Sequence, residues 1–379
     1  MKTIFASRKF RNPLLVLFSL VSLAGGALFD SAEAAGKSKS ARWHPGNYIF
    51  CPGMDPSDAE VDGLLHASPK LRGVQVMYTW RSCEPTKNNY NFSKIKRHLR
   101  LAKLANKHLF VQVQFKGFGP DPYETCPSYL VNGSPKPGGG FYSAFSAVQR
   151  KGRIIRQPVT WDPVVQARLV SLYTALGTAL NSDPNVSALE GVNLPETASP
   201  SLEDLAGTPN NIMPKNNDVY NSNIVDRFKA LNASLPHTQV LQFINFINQS
   251  PSFPDRERSM IQKAIAEGVG MGGPDLRPWD EALERHSYSN TPMAAGKIPI
   301  GYAVQYMDTK HPVGGGGFAN DTIANVRATY DLAKDLKLNY VWWYGTDGYL
   351  AMVKEVVSGT DPAGGLVKTY PNSITPYLE

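Results

Sequence analysis

The feature that most constrains this chain is a repeated alternation of two periodicities. Eight short β-rich runs recur along it, at residues 47–51, 73–79, 109–115, 188–194, 240–247, 268–273, 298–306 and 339–344. Between several of them the apolar residues return with helical spacing. Residues 93–107 read SKIKRHLRLAKLANK, with Ile95, Leu99, Ala102, Leu104 and Ala105 on one face. Residues 165–180, 223–231, 256–267 and 322–336 follow the same rule. Strands separated by helices form parallel βα units, because a parallel neighbour can be reached only by a crossover. Eight such units predict an α/β chain folded as a (β/α)8 barrel, with a doubly wound open sheet as the alternative. Strand starts lie about 26 to 40 residues apart, except before the fourth and fifth. Residues 116–160, rich in Gly, Pro and Tyr, form the largest insertion, after strand three. A barrel places such a loop on its carboxyl-end face, where substrates are shaped.

The first 34 residues read as a separate segment. Lys2, Arg8, Lys9 and Arg11 precede an apolar run over 14–28, and Ala32-Glu33-Ala34 follows as a small-x-small cleavage site. That order marks a secretory signal, and a 15-residue run is short for a membrane span. The expectation is therefore a signal over 1–34 and one catalytic domain over 35–379. The product would be secreted or periplasmic, with no stable membrane insertion. Removing four basic and two acidic residues lowers the net charge from +7 to +5. No Lys/Arg block with interleaved aromatics is present, so nucleic acid is not an expected partner. An acidic glycan or an anionic envelope surface fits that charge equally. Three cysteines allow at most one disulfide, and export permits it, so a Cys83–Cys126 tie is expected.

Several familiar chemistries are excluded. Residues 268–273 match G-x-G-x-x-G, but Pro274 and Pro278 follow where a nucleotide-binding helix would have to begin. Those glycines are read as a strand passing close to its neighbours. Residues 314–317 are all glycine, but no Gly-Lys-Ser/Thr follows to bind phosphate. There is no G-x-S-x-G elbow and no H-E-x-x-H zinc motif. No Cys or His spacing resembles a zinc site.

Carboxylates at strand ends are the remaining chemical signal. Glu196 follows the fourth strand in GVNLPETA, where apolar neighbours would favour its protonated form and so suit a general acid. Asp275 follows the sixth strand, Asp308 the seventh and Asp347 the eighth. Asp275 and Asp308 rank ahead of Asp347 as its partner. Trp80, Trp342, Trp343, Tyr344 and Tyr306 supply aromatic faces of the kind that pack on sugar rings. Of Trp342 and Trp343, one is expected to face the rim. Gln112, Gln114, Gln242, Asn245 and Asn248 supply amides for hydroxyl groups.

The stretch from Tyr78-Thr79-Trp80 through Glu84-Pro85 and Tyr90-Asn91-Phe92, followed by Leu109–Gln114, resembles the second and third βα units of clan A glycoside hydrolases. Glu196 and Val341-Trp342-Trp343 extend the resemblance. It implies a retaining hydrolase with an acid/base Glu on strand four and a nucleophilic Glu on strand seven. The chain departs from that pattern twice. Pro195 stands before Glu196 where the family carries Asn, with Asn193 three residues back, and Gln305 stands at the nucleophile's position. An amide cannot attack an anomeric carbon, so the retaining mechanism does not transfer directly.

The expectation is thus a secreted glycoside hydrolase acting on a polysaccharide or oligosaccharide. Glu196 would be the acid, Asp308 or Asp275 the second carboxylate, and Trp80, Glu84, Gln114, Asn193, Gln305 and Trp343 the substrate contacts. Two carboxylates need no metal or organic cofactor. The competing reading, motivated by Gln305, is a non-catalytic barrel that binds glycans during envelope or exopolysaccharide handling. Transglycosylation or lyase chemistry on an acidic glycan is a third possibility.

Overall fold

A computed structural model describes residues 36–117, 125–131, 141–145, 154–158, 160–198, 217–247, 254–305, 321–357, 361 and 363–378. The segment 1–34 and Asp308 therefore lie outside the described residues. The unit from Gly36 to Glu379 is built on eight parallel strands. These are β1 (Gly46–Phe50), β2 (Gly73–Thr79), β3 (His108–Gln114), β4 (Leu189–Leu194), β5 (Gln239–Phe243), β6 (Gly270–Gly273), β7 (Ile300–Ala303) and β8 (Tyr340–Tyr344). They close in sequence order, with β8 pairing β1 through five residues from Tyr340↔Gly46 to Tyr344↔Phe50. The (β/α)8 barrel expected from the alternation is the fold.

Seven helices of eight or more residues, among the described residues, wrap this barrel. They are α1 (Asp58–Leu65), α2 (Ser93–Leu104), α3 (Pro163–Asn181), α4 (Asn217–Ser234), α5 (Pro254–Ala266), α6 (Ile323–Asp335) and α7 (Asp347–Val356). Five of them stand where the helical spacing predicts and two, α1 and α7, where it does not. Local chemistry fixes their starts. Ser57 and Glu60 cap α1 reciprocally, and Asp162 caps α3 ahead of Pro163 at its first turn. Helix α2 buries Ile95, His98, Leu99 and Ala102 at i, i+3, i+4 and i+7, whereas Leu104, expected on that face, is 70% exposed. After β6 the chain makes a short helical turn, Glu281–Leu283, and a π-helical segment, Glu284–Tyr288. Within the insertion, Phe141–Phe145 and Ile154–Pro158 pair as antiparallel strands.

The barrel interior is filled by aromatic rings rather than left open. Tyr48, Phe50, Phe110, Leu241, Phe243, Ala303, Tyr340 and Trp342 form one buried cluster. Phe110 lies edge-on to Tyr48, Tyr340 and Trp342 at 5.1, 5.0 and 4.9 Å between ring centres. Space for Trp342 comes from β7, where a Cβ on Gly301 would lie 2.3 Å from its ring. A Cβ on Gly272 would lie 1.7 Å from the Gly301 carbonyl oxygen, so β6 needs glycine to approach β7. That is the structural role of the G-x-G-x-x-G stretch.

The amino-terminal face is sealed. Lys39–Ala41 pairs with Ile374–Pro376, and Trp43 stacks on Tyr370 and meets Tyr340 edge-on. The three cysteines are buried free thiols, so the expected Cys83–Cys126 disulfide is not formed. Burial pushes the Cys51 thiol up to about 12. The Cys126 thiol donates to the Phe115 carbonyl instead.

Candidate active site

The carboxyl ends of the strands place a set of polar side chains at one mouth of the barrel. Each stands two residues past its strand: Lys116 after β3, Glu196 after β4, Asn245 after β5, Asp275 after β6 and Gln305 after β7. Lys116 and Asn245 continue the inward parity of Phe110 and Phe243, whereas Glu196 and Asp275 are out of phase with the interior positions Asn193 and Gly272 and reach the mouth through the loops that follow β4 and β6. The interior positions of Gly301 and Ala303 show this parity directly for Gln305.

Glu196 is the centre of the best-ordered group, with its side chain 12% exposed. Asn245 Nδ2 donates to Glu196 Oε2 at 2.7 Å, and Lys116 Nζ lies 3.6 Å from Oε1. The ammonium is itself fixed by donating to the backbone carbonyls of Glu196 and Ala198. Gln114 Oε1 accepts the N–H groups of Phe115 and Lys116, which caps the end of β3 and aims Lys116 at Glu196. Asn245 is held just as firmly. Its backbone N–H donates to Thr197 Oγ1, Thr197 Oγ1 donates to its carbonyl, and Ala198 N donates to Asn245 Oδ1. Tyr220 closes the group by donating its hydroxyl to the Thr197 carbonyl at 2.8 Å.

The electrostatic consequence differs from the expectation drawn from Leu194 and Pro195. A nearby ammonium and an amide donor both favour the ionised carboxyl. Glu196 thus accepts from Asn245 and faces the Lys116 ammonium. Behind it, Tyr173, Arg227, Gln242 and Phe115 line a cavity of about 10 Å³, room for a single water-sized molecule. Arg227 is 4% exposed, donates to the Asn223 carbonyl and lies 5.7 Å over the Phe115 ring.

Asp275 reaches the same mouth already paired. Its Oδ2 is 2.9 Å from Arg277 Nη2, and Arg277 also lies 3.3 Å from Asp280. Tyr288 donates its hydroxyl to the Asp275 carbonyl, and Leu276 N bonds to Ala303 O, tying this loop to β7. Tyr344 stacks on Phe50 at the rim and is half-buried. The exit of β5 carries backbone strain. Phe246 has φ of 36°, a region that costs a bulky residue on the order of 1–3 kcal/mol.

Four of the expected substrate contacts lie elsewhere. Trp80 and Glu84 are fully buried: Trp80 Nε1 donates to Glu84 Oε2 at 2.8 Å, Asn88 N donates to Oε1, and Arg168 pairs with Oε1. Arg168 also binds Asn88 Oδ1 and Tyr90 OH, so the Trp…Glu-Pro…Tyr stretch is a structural lock between the β2 exit and α3. Trp343 points outward to the helices, where its Nε1 donates to Asn47 Oδ1 beside Tyr330 and Tyr349. Trp342 is the inward one, and it fills the interior. Asn193 is fully buried inside the barrel, opposite Gln112 and below the mouth. Asp347 opens α7, is exposed and lines a groove with Glu60 of α1, away from Glu196. Asp308 is not among the described residues. Lys116 is the residue the sequence reading missed, and its offset from the end of β3 was the available signal.

Among the described residues, His44, His108 and Glu190 are close enough to consider as a metal site. They lie at the opposite, amino-terminal face. The two imidazoles stack 3.8 Å apart and 18° from parallel, so their in-plane nitrogens cannot both aim at one ion. Glu190 is already satisfied. Its Oε1 accepts from His44 N, Tyr340 OH and Gln239 Nε2, and its Oε2 lies 2.7 Å from His44 Nδ1. Burial opposes its charge, but the His44 hydrogen bond and charge, with His108 and Tyr340, hold it at about 2. This is a hydrogen-bonded plug beneath the barrel, not a coordination shell.

Comparison with known proteins supports the architecture. No family model matches the sequence, and no curated protein sequence is similar to it. Among solved structures, the catalytic domain of β-amylase from Paenibacillus polymyxa is similar, with a TM-score of 0.58 and 11% identity over 85% of this chain and 98% of that one. A GH5_18 protein from Streptomyces cattleya, solved in complex with GlcNAc, has a TM-score of 0.50 and 12% identity over 81% of this chain and 71% of its own. An exo-β-1,4-mannosidase from Opitutaceae bacterium strain TAV5 has a TM-score of 0.50 and 16% identity over 88% and 60%. The fold is a (β/α)8 barrel. Its structural neighbours are glycoside hydrolases, and at these identities the likeness is one of fold.

Proposed function

We propose that this protein is an exported glycoside hydrolase acting on a polysaccharide or oligosaccharide at the mouth of the barrel. The observation that carries the reading is the Glu196 carboxylate, held by Asn245 at 2.7 Å and Lys116 at 3.6 Å among the strand ends. A carboxyl fixed by donors in a concave polar site is what cleavage of a glycosidic bond requires. Glu196 serves as the proton donor to the departing oxygen. Asp275 is the second carboxylate. It stands two strands around the barrel from Glu196. Tyr344 at the rim offers a ring face to a sugar.

The test is incubation of the protein and of Glu196→Gln with a panel of neutral and acidic glycans, read by mass spectrometry. Products from the unaltered protein alone support the reading, and equal products from both remove Glu196 from it. A second reading is favoured by Gln305: a barrel that binds glycans without cutting them. It is supported if the panel yields no product while sugar binding is retained in both proteins.

A further inference from the structure

We propose that the barrel interior beneath the mouth is a binding site for enclosed water, built from Gln75, Gln112, Asn193 and the indole N–H of Trp342. The proposal stands apart from the reading of Glu196. Register places all four side chains inside. Phe110 and Leu241 belong to the interior cluster. Gln75 is the strand partner of Phe110, and Asn193 is the partner of both Gln112 and Leu241. Partners in a parallel ladder turn their side chains to the same face, so Gln75, Gln112 and Asn193 point inward from three successive strands, β2, β3 and β4. Trp342 of β8 meets Phe110, two residues before Gln112, at 4.9 Å between ring centres. All four residues are 0 or 1% exposed.

Six polar atoms of this group have no protein partner. They are Nε2 and Oε1 of Gln75, Nε2 of Gln112, Nδ2 and Oδ1 of Asn193, and Nε1 of Trp342. Buried amides elsewhere in the chain are bonded: Gln114 Oε1 accepts from Phe115 N and Lys116 N, and Gln242 Nε2 donates to the Pro195 and Phe243 carbonyls. So are the other indoles of the core, Trp80 Nε1 to Glu84 and Trp343 Nε1 to Asn47. The closed barrel explains the difference. Its backbone N–H and C=O groups lie in the sheet and are taken by the ladder, so an inward side chain finds no backbone partner. The inward neighbours Leu241, Phe243 and Ala303 offer none either. Burying amide and indole groups dry is costly, and a guest that both donates and accepts relieves it. None of the six atoms carries a charge, so the guest is neutral. Enclosure selects the smallest such molecule, which is water, over a sugar hydroxyl that must bring its ring. Asn193 thereby becomes a ligand to water beneath the mouth instead of a sugar contact at it.

The experiment is NMR cross-relaxation from water on the full chain. It reads transfer to the indole N–H groups of Trp342, Trp343 and Trp80 and to the side-chain amides of Gln75, Gln112 and Asn193. Trp343 and Trp80 are as buried as Trp342 but bonded to protein acceptors, so they serve as internal controls. Transfer is expected at Trp342 and at the three amides, and none at Trp343 or Trp80. Silence at Trp342 and the amides overturns the proposal. Equal transfer at all three indoles also overturns it, since that reports general opening of the core and not a held guest. The variant carrying Gln112→Met and Asn193→Leu removes three of the six unpartnered atoms while keeping side chains of similar size. Transfer at Trp342 is expected to be lost there, because the water it bonds loses its other partners. Transfer at Trp342 that persists at full strength in this variant overturns the assignment of one shared site. Should the variant fail to fold, the comparison of the three indoles in the unaltered protein decides the proposal by itself.

Discussion

Cutting the pair formed by Glu84 and Arg168 should lower stability and leave glycan recognition intact. Glu84 is fully buried and Arg168 is 10% exposed, so neither charge can fall back on water. Removing one partner of such a pair costs about 3–5 kcal/mol, because the other charge stays buried. Glu84 would retain donors from Trp80 Nε1 and Asn88 N, which places Arg168→Met at the lower end, about 3 kcal/mol. Unfolding entropy of about 2.1 cal/mol/K per residue, over a unit from Gly36 to Glu379, gives about 0.7 kcal/mol/K. The expected fall in Tm is therefore about 4 °C for Arg168→Met, with Glu84→Gln similar. The double variant should lose clearly less than the sum, since its second substitution removes a charge that the first had stranded. Calorimetry on the four proteins reads the Tm values, and titration with a bound glycan reads recognition. Additive losses, or weaker sugar binding in Glu84→Gln with an unchanged Tm, would refute the structural assignment and restore Glu84 as a sugar contact.

Other outcomes follow from the same physics. Glu190 is held at about 2 against an ordinary 4.5, so its contribution is fully present above pH 4.5 and is lost as pH falls through about 2. Acid unfolding of Glu190→Gln should lack that limb, worth about 3 kcal/mol, and should start from a less stable protein. Glu257 has the opposite sign. With its folded value at about 7, the folded state binds the extra proton between pH 4.5 and 7, so stability falls as pH rises through that window, and Glu257→Gln should flatten the slope in denaturant titrations. Lys116→Met removes the ammonium that favours ionised Glu196, so the alkaline limb of the pH–rate profile should move to higher pH; an unmoved limb counts against Glu196 as the proton donor. Gln305→Glu should leave product formation unchanged if Asp275 is the second carboxylate, whereas activity gained from an inactive protein would favour the glycan-binding reading.

The barrel was legible because its signal is periodic and repeated. All eight strands fall inside or within one residue of the predicted runs, and β2 matches at both ends. The errors have local causes. Residues 244–247 continue β5 in apolar character, but the strand ends at Phe243 and the chain turns at Phe246, where no glycine or proline announces positive φ. Helices α1 and α7 escaped notice. Helix α1 is eight residues, too short to establish a period, although Ser57 and Glu60 spell its capping box.

Strand ends and parity together made part of the site legible. Counted from the interior positions Phe110, Phe243 and Ala303, period-two parity carries to Lys116, Asn245 and Gln305, whereas Glu196 and Asp275 are out of phase with Asn193 and Gly272 and are placed by the loops after β4 and β6. Parity makes no reference to residue type, which is why it finds a lysine that reads as an ordinary surface cation. Trp80 and Glu84 were misplaced for the converse reason. Their residue types and the resemblance point to a sugar contact, yet Trp80 opens a helical turn directly after β2, where strand parity no longer applies, and its indole bonds Glu84 in the core. Trp343 fails by parity outright, one residue out of phase with the interior positions Tyr340 and Trp342. What parity cannot supply is the charge state of what it places. The pairings of Glu196 with Lys116 and of Asp275 with Arg277 join side chains from loops whose approach depends on closed-barrel geometry.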